Sequence, residues 1–249
     1  MPNLSDAIRY ADSAATGEEE LRRACDILLL ANVGSSVELR ARLLQHLTTL
    51  EADRPVVCLN PGAVAPRRGR AGPRLRRPEP SEFAVAFADE IALVPDASDF
   101  AEMLATQLDI TRALAATFGE AHASLRYAPD KWSVRETIGH LADCERVLSY
   151  RMLRALRGDE GLVAGFDHVG YVGAGQFESR ALADVVDEFV AVRGATVALV
   201  QSAGAAKFAV RLRVGGGTIT GTALAYLIAG HERHHQSLLR TRYLACLTV

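Results

Sequence analysis

The chain has 249 residues, 49% of them hydrophobic, and a formal net charge of -2. That is enough apolar material for one ordinary domain and a small appendage, and too little charge imbalance to name a partner. No run approaches the roughly 18 uninterrupted apolar residues of a bilayer span, and Met1 to Tyr10 lacks the basic-then-apolar pattern of a secretion signal, so a cytoplasmic protein without a membrane partner is expected.

In chain order, residues 1–54 read as a small helical module. Glu20-Leu21-Arg22-Arg23 lies in a first helix, Ala31 to Ser36 breaks it, and Leu39, Leu43, Leu44 and Leu47 line one face of a second. Residues 55–81 are rich in Pro and Gly and carry Arg67, Arg68, Arg70, Arg74, Arg76 and Arg77 without a hydrophobic period, which is the composition of a linker. Residues 82–249 hold four long segments with apolar residues recurring at three and four. They predict helices over about Asp99 to Phe118, Ser133 to Arg157, Ser179 to Gln201 and Thr220 to Tyr243. The expected fold class is all-α, a four-helix bundle.

Local signals set the boundaries. Ser133 followed three residues later by Glu136 is a capping box. Gly158 supplies a helix stop, and Gly215-Gly216-Gly217 predicts an irregular approach to the last helix. Asp159 to Glu178, with five glycines, predicts an extended crossover or lid, since long loops in compact domains are often functional.

The most informative residues are His231-Glu232-Arg233-His234-His235. Leu224, Leu227, Ile228, His231, His235 and Leu238 share one narrow sector of the last helix. His231 and His235 therefore project inward together, and His234 at the sector's edge is an alternative second imidazole. On the second long helix Thr137, His140, Cys144, Val147 and Arg151 form a row that can bring His140 to the same cavity. Three imidazoles with one open position make a catalytic type of metal site, suited to zinc, nickel or iron. A single histidine on an apolar face is more often a hydrogen-bonded core residue; the pair at helical spacing raises the metal reading. Asp143 and Glu232 are the nearest candidates for a general base or a carboxylate supporting a ligand, although Glu232 lies 100° from His231 and is expected to face solvent. His46, His122 and His168 have no partner spacing and read as surface residues. Cys25, Cys58, Cys144 and Cys246 form no C-x-x-C pair and read as reduced thiols. Cys144, one turn after His140, reads as packing, with thiolate ligation as the alternative.

The stretch Arg126-Tyr127-Ala128-Pro129-Asp130-Lys131-Trp132-Ser133-Val134-Arg135-Glu136, then Gly139-His140-Leu141-Ala142-Asp143 and Tyr150-Arg151, resembles the DinB/YfiT-like metalloenzyme superfamily. So does Ala223 to Glu232 with His234-His235 and Arg242-Tyr243, and the resemblance spans about Phe83 to Tyr243. It implies a four-helix bundle with a divalent metal on His140, His231 and His235, which favours His235 over His234. The family includes transferases and isomerases that use low-molecular-weight thiols such as bacillithiol or mycothiol, and metal-dependent hydrolases. The implied function is therefore a metal-dependent thiol S-transferase or a hydrolase acting on a small-molecule substrate. The chain departs from relatives in having His168 and Val169 where acidic residues follow Phe166-Asp167, and Gly215 to Gly217 where they have an Asn-Gly turn.

Two further expectations compete. Residues 18–50 resemble a SAP-type helix-extended-helix module, which implies DNA contacts at Arg40 and Arg42 aided by the arginine-rich linker, as in a DNA-associated stress protein. Ser36 stands where that family carries lysine, and a hairpin packed on the bundle or used in a homodimer suits the same residues. The remaining alternative is a non-catalytic bundle that metal merely stabilises.

Overall fold

The computed structural model describes residues 71–247 apart from Ser98, Glu160 and Gly216. The expected module of residues 1–54, with Arg40 and Arg42, lies outside the described residues, as does the expected linker up to residue 70.

The described chain is mostly helical. In order it forms α1 (Ala88–Ala92), α2 (Phe100–Phe118), α3 (Val134–Leu156), the short α4 (His168–Ala174), α5 (Leu182–Gln201), strands β1 (Arg211–Val214) and β2 (Gly217–Thr220), and α6 (Gly221–Leu238). The long helices α2, α3, α5 and α6 form the four-helix bundle. Helix α3 packs on α5 and α6, and so does α2, giving the cyclic order α2-α5-α3-α6. Among the described residues no helix is long and apolar enough to cross a membrane.

The helix starts have local causes. The Ser133 hydroxyl accepts from the Glu136 amide at 3.1 Å, and the Glu136 carboxylate accepts from the Ser133 amide at 2.8 Å. This reciprocal pair satisfies two otherwise orphaned donors. Asp99 and Thr220 cap α2 and α6 with one side-chain bond each, accepting from the amides of Glu102 and Ala223. The third long helix starts at Leu182 rather than Ser179, because Phe177–Ser179 closes a 3-10 turn and Arg180 is extended. The last helix is α-helical only to Leu238 and continues to Tyr243 as a π turn.

Three expectations need correction. Gly215 and Gly217 lie at the turn end of a hairpin: β1 and β2 pair antiparallel with Leu212 opposite Ile219, both buried, and Gly215 takes the left-handed φ of 55° that glycine adopts without steric cost. Its four-residue strands are too short for a visible alternation. The crossover is not wholly irregular either, since Asp167 accepts from the amides of Val169 and Gly170 and starts α4. Residues 71–81, read as linker from composition, pack on the bundle. Leu75 is in the core, its carbonyl accepts from the Tyr226 hydroxyl at 3.3 Å, and Arg77 donates to the carbonyls of Ile91 and Val94 at 3.2 and 2.5 Å. Arginine-rich composition favours an extended chain; it says nothing about carbonyls waiting on a neighbouring helix.

A polar centre joins all four bundle helices. Arg193 of α5 is wholly buried, donating through Nε and Nη2 to the two oxygens of Glu145 on α3 (2.8 and 2.6 Å), and through Nη1 to Glu232 on α6 and the Leu104 carbonyl on α2 (2.7 and 2.8 Å). Thr111 donates to the other Glu232 oxygen at 2.6 Å, and Gln236 donates to Thr111 and to the Gln107 carbonyl, both at 2.9 Å. Burial opposes the charge on Arg193, but the two carboxylates outweigh it and hold the guanidinium more firmly protonated than usual. Removing one partner of such a group strands the others without water. Arg193→Ala is expected to lower unfolding free energy by about 3–5 kcal/mol, measured by urea denaturation; a loss under about 1 kcal/mol would mean that the carboxylates tolerate the loss of their partner.

Candidate metal centre

Helix α3 presents Thr137, His140, Cys144 and Arg151 along one buried row. Helix α6 presents His231, partly exposed, and His235, buried, one turn apart. Among the described residues His140, His231 and His235 form a group whose candidate ligand atoms all lie within 4.8 Å of one another. The Nε2 atoms of His140 and His231 are 3.0 Å apart, near the roughly 3.3 Å separation expected for two imidazole nitrogens on a tetrahedral zinc with bonds of about 2.05 Å. The Nδ1 of His235 is buried and has no hydrogen-bond partner among the described residues. Clustered nitrogen donors with an orphaned ring atom fit a divalent cation. His234 is exposed and outside the group, its ring nearly perpendicular to that of His235.

The surroundings orient these rings. Trp132 lies over His140, with ring centroids 4.4 Å apart, and stacks at 6.3 Å with His235. Its backbone is held by Tyr243 of the π turn, whose hydroxyl donates to the Trp132 carbonyl at 2.7 Å and meets the Thr137 hydroxyl at 3.2 Å. The Cys144 sulfur sits 3.5 Å from His140 Nδ1. Burial, then the nearby charges of Asp143 and Glu90, push its thiol up to about 12, so Cys144 is a protonated neighbour of the cluster at neutral pH rather than a reactive thiolate.

The candidate carboxylates are engaged elsewhere. Asp143 accepts from Arg146 at 3.2 Å. Glu232, expected to face solvent, is buried on the Arg193 side of α6, because a neighbour of the histidine row is turned by about 100° towards the bundle's polar centre. Two nearby groups were not apparent from spacing. His168 is exposed, as expected, but its ring lies 5.7 Å from that of His140. The position of Trp132 had one sequence signal: it directly precedes the N-cap of the helix that carries His140.

The family model of the DinB superfamily matches residues 103–239, more than half of the 249 residues. The chain belongs to the DinB superfamily. All three clustered histidines fall within the matched region. Among solved structures the chain is similar to YfiT from Bacillus subtilis, described as a probable metal-dependent hydrolase with an unusual four-helix bundle topology. The two share 16% identity, the match covers 70% of this chain and 94% of YfiT, and the TM-score is 0.52. That likeness shows the fold. No curated protein matches the chain.

The DinB cluster is electrostatically prepared for a cation. Burial, then the neighbouring His168 and His234, push the His140 imidazole down to about 4. Burial and His140 push His231 down to about 3, and burial lowers His235 well below its ordinary value. All three are neutral at pH 7, the state that ligates metal without first losing a proton. Between its ordinary 6.5 and about 4, His140 carries a proton in the unfolded chain that it lacks when folded. Unfolding then takes up protons, so the metal-free protein loses stability as pH falls through that window, by about 1.4 kcal/mol per unit for each such group. His140→Gln is expected to flatten this decline in urea midpoints measured between about pH 7 and pH 4; parallel curves for the two proteins would sink the assignment.

Proposed function

We propose that the protein is a divalent-metal-dependent enzyme with His140, His231 and His235 as the ligands. The convergence of these three imidazoles from two helices carries the reading. Three protein ligands leave a coordination position open, the pattern of catalytic rather than structural sites. When bound, an ion with only neutral ligands keeps its full dipositive charge and supplies Lewis-acid chemistry that lowers the pKa of a coordinated water or thiol. Imidazole donors suit zinc, nickel or iron.

The reaction we favour is transfer of a low-molecular-weight thiol to an electrophilic small molecule. Asp143 and Glu232 are tied to Arg146 and Arg193, so neither is placed to take a proton from an attacking water. A thiol cosubstrate brings its own nucleophile and needs fewer protein groups. Trp132 shields the cluster from bulk water on one side, which strengthens interactions within the site. Hydrolysis is the second reading. It is favoured by the description of YfiT and by His168 beside His140, an imidazole able to accept a proton from water.

Purified protein is expected to hold close to one divalent ion per chain, and His140→Ala, His231→Ala and His235→Ala each to weaken binding by more than about 100-fold, the upper range for loss of a merely supporting contact, while helicity by circular dichroism is kept. Metal-loaded protein is then offered thiols with electrophiles, and separately esters and amides. Metal retained at full affinity by all three variants would end the proposal.

A further inference from the structure

We propose that Arg151 is the receptor for an oxyanion group, carboxylate or phosphate, on the molecule that reacts at the histidine cluster; this assignment rests on reading that cluster as the reactive centre. Arg151 lies on the same buried row of α3 as His140 and Cys144, and only 6% of it is exposed. Its Nη2 donates to the Ala164 carbonyl at 2.9 Å, and its guanidinium carbon lies 5.3 Å from the centre of the Phe166 ring. Its Nε is buried without a partner, and no described carboxylate forms an ion pair with it. The other buried arginines differ. Arg193 is bracketed by Glu145 and Glu232, and Arg135 by Glu120 and Glu178. A guanidinium does not shed its proton on burial, so an uncompensated one destabilises the fold unless an anion comes to it.

The position of Arg151 says which molecule carries that anion. Ala164 and Phe166 belong to the crossover that leads into α4, and the Phe166 ring lies 6.4 Å from His168, whose ring is 5.7 Å from His140 and 6.4 Å from Trp132. A continuous aromatic wall therefore runs from the metal ligands to the guanidinium along α3. A molecule reacting at the histidines and extending along this wall brings its far end to Arg151. The fork of a guanidinium matches the paired oxygens of a carboxylate or phosphate. A purely structural role, tying the crossover to α3, would need only the Ala164 bond and the Phe166 contact, and it would make no distinction between charged and neutral ligands.

The test uses full-length protein stripped of metal by a chelator, so that no probe can bind through the ion. Ligand-observed NMR measures affinities for hexanoate, hexyl phosphate and the neutral hexanamide in wild type, Arg151→Met and Arg151→Lys. Wild type is expected to prefer at least one anion over hexanamide by about ten-fold or more, the range of a charge-assisted hydrogen bond, and the tighter anion names the group. Arg151→Met should bring the ratio to about one, and Arg151→Lys should keep part of it because the charge survives without the fork. If Arg151→Met does not fold, Arg151→Gln takes its place. A ratio near one in wild type, or an unchanged ratio in the neutral variant, overturns the proposal. Cobalt uptake on the same samples separates the two readings: discrimination without uptake removes the metal centre and keeps the anion receptor, and uptake without discrimination does the reverse.

Discussion

The structure depends on one buried cation. Arg193 reaches from α5 to a carboxylate on α3, a carboxylate on α6 and a backbone carbonyl on α2, so a single side chain sets the mutual rotation of the four bundle helices. Apolar packing alone tolerates small rotations, because leucine and valine stripes interdigitate in more than one way. A guanidinium held by directed bonds does not. Glu232 and Gln236 occupy one row of α6, and His231 and His235 occupy the next, about 100° around the helix. Pinning the first row to α2 and α5 aims the second at α3, where His140 stands.

The same division of labour explains the polarity of the interior. On one side of α6 the charged groups are bonded to one another: Arg193 lies between Glu145 and Glu232, and Thr111 and Gln107 also donate to Glu232. On the other side compensation is missing. The imidazoles are neutral, His235 has an orphaned nitrogen, and Arg151 has a buried charge with no counter-ion among the described residues. Satisfied polar groups hold a fold together, whereas a buried group left unsatisfied is a place where a ligand can complete the arrangement.

Trp132 and the crossover close this unsatisfied side. Tyr243, which follows the helix carrying His231 and His235, holds the backbone of Trp132, which precedes the helix carrying His140. The two histidine-bearing helices are thereby linked at the site's edge as well as through the polar centre. The exposed face of α4, with His168, Val169 and Tyr171, lies beside the cluster, the His168 ring 5.7 Å from that of His140.

Much of this was legible in the chain itself. Helical period located the four long helices, and the Ser133–Glu136 box and Gly158 bounded the second of them, since those signals act within one turn of backbone. The four-residue spacing of His231 and His235 placed them on one face for the same reason. Proximity in space was not legible. That Glu232 turns to Arg193 and away from solvent, that His168 comes beside His140, that residues 71–81 pack against α1 and α6, and that Arg151 is buried without a carboxylate all depend on elements distant along the chain. Sequence alone determined which residues share a helix face, because that is local geometry. Tertiary packing decided which faces meet and which charges find partners, because those contacts join helices whose relative rotation is set by the buried Arg193.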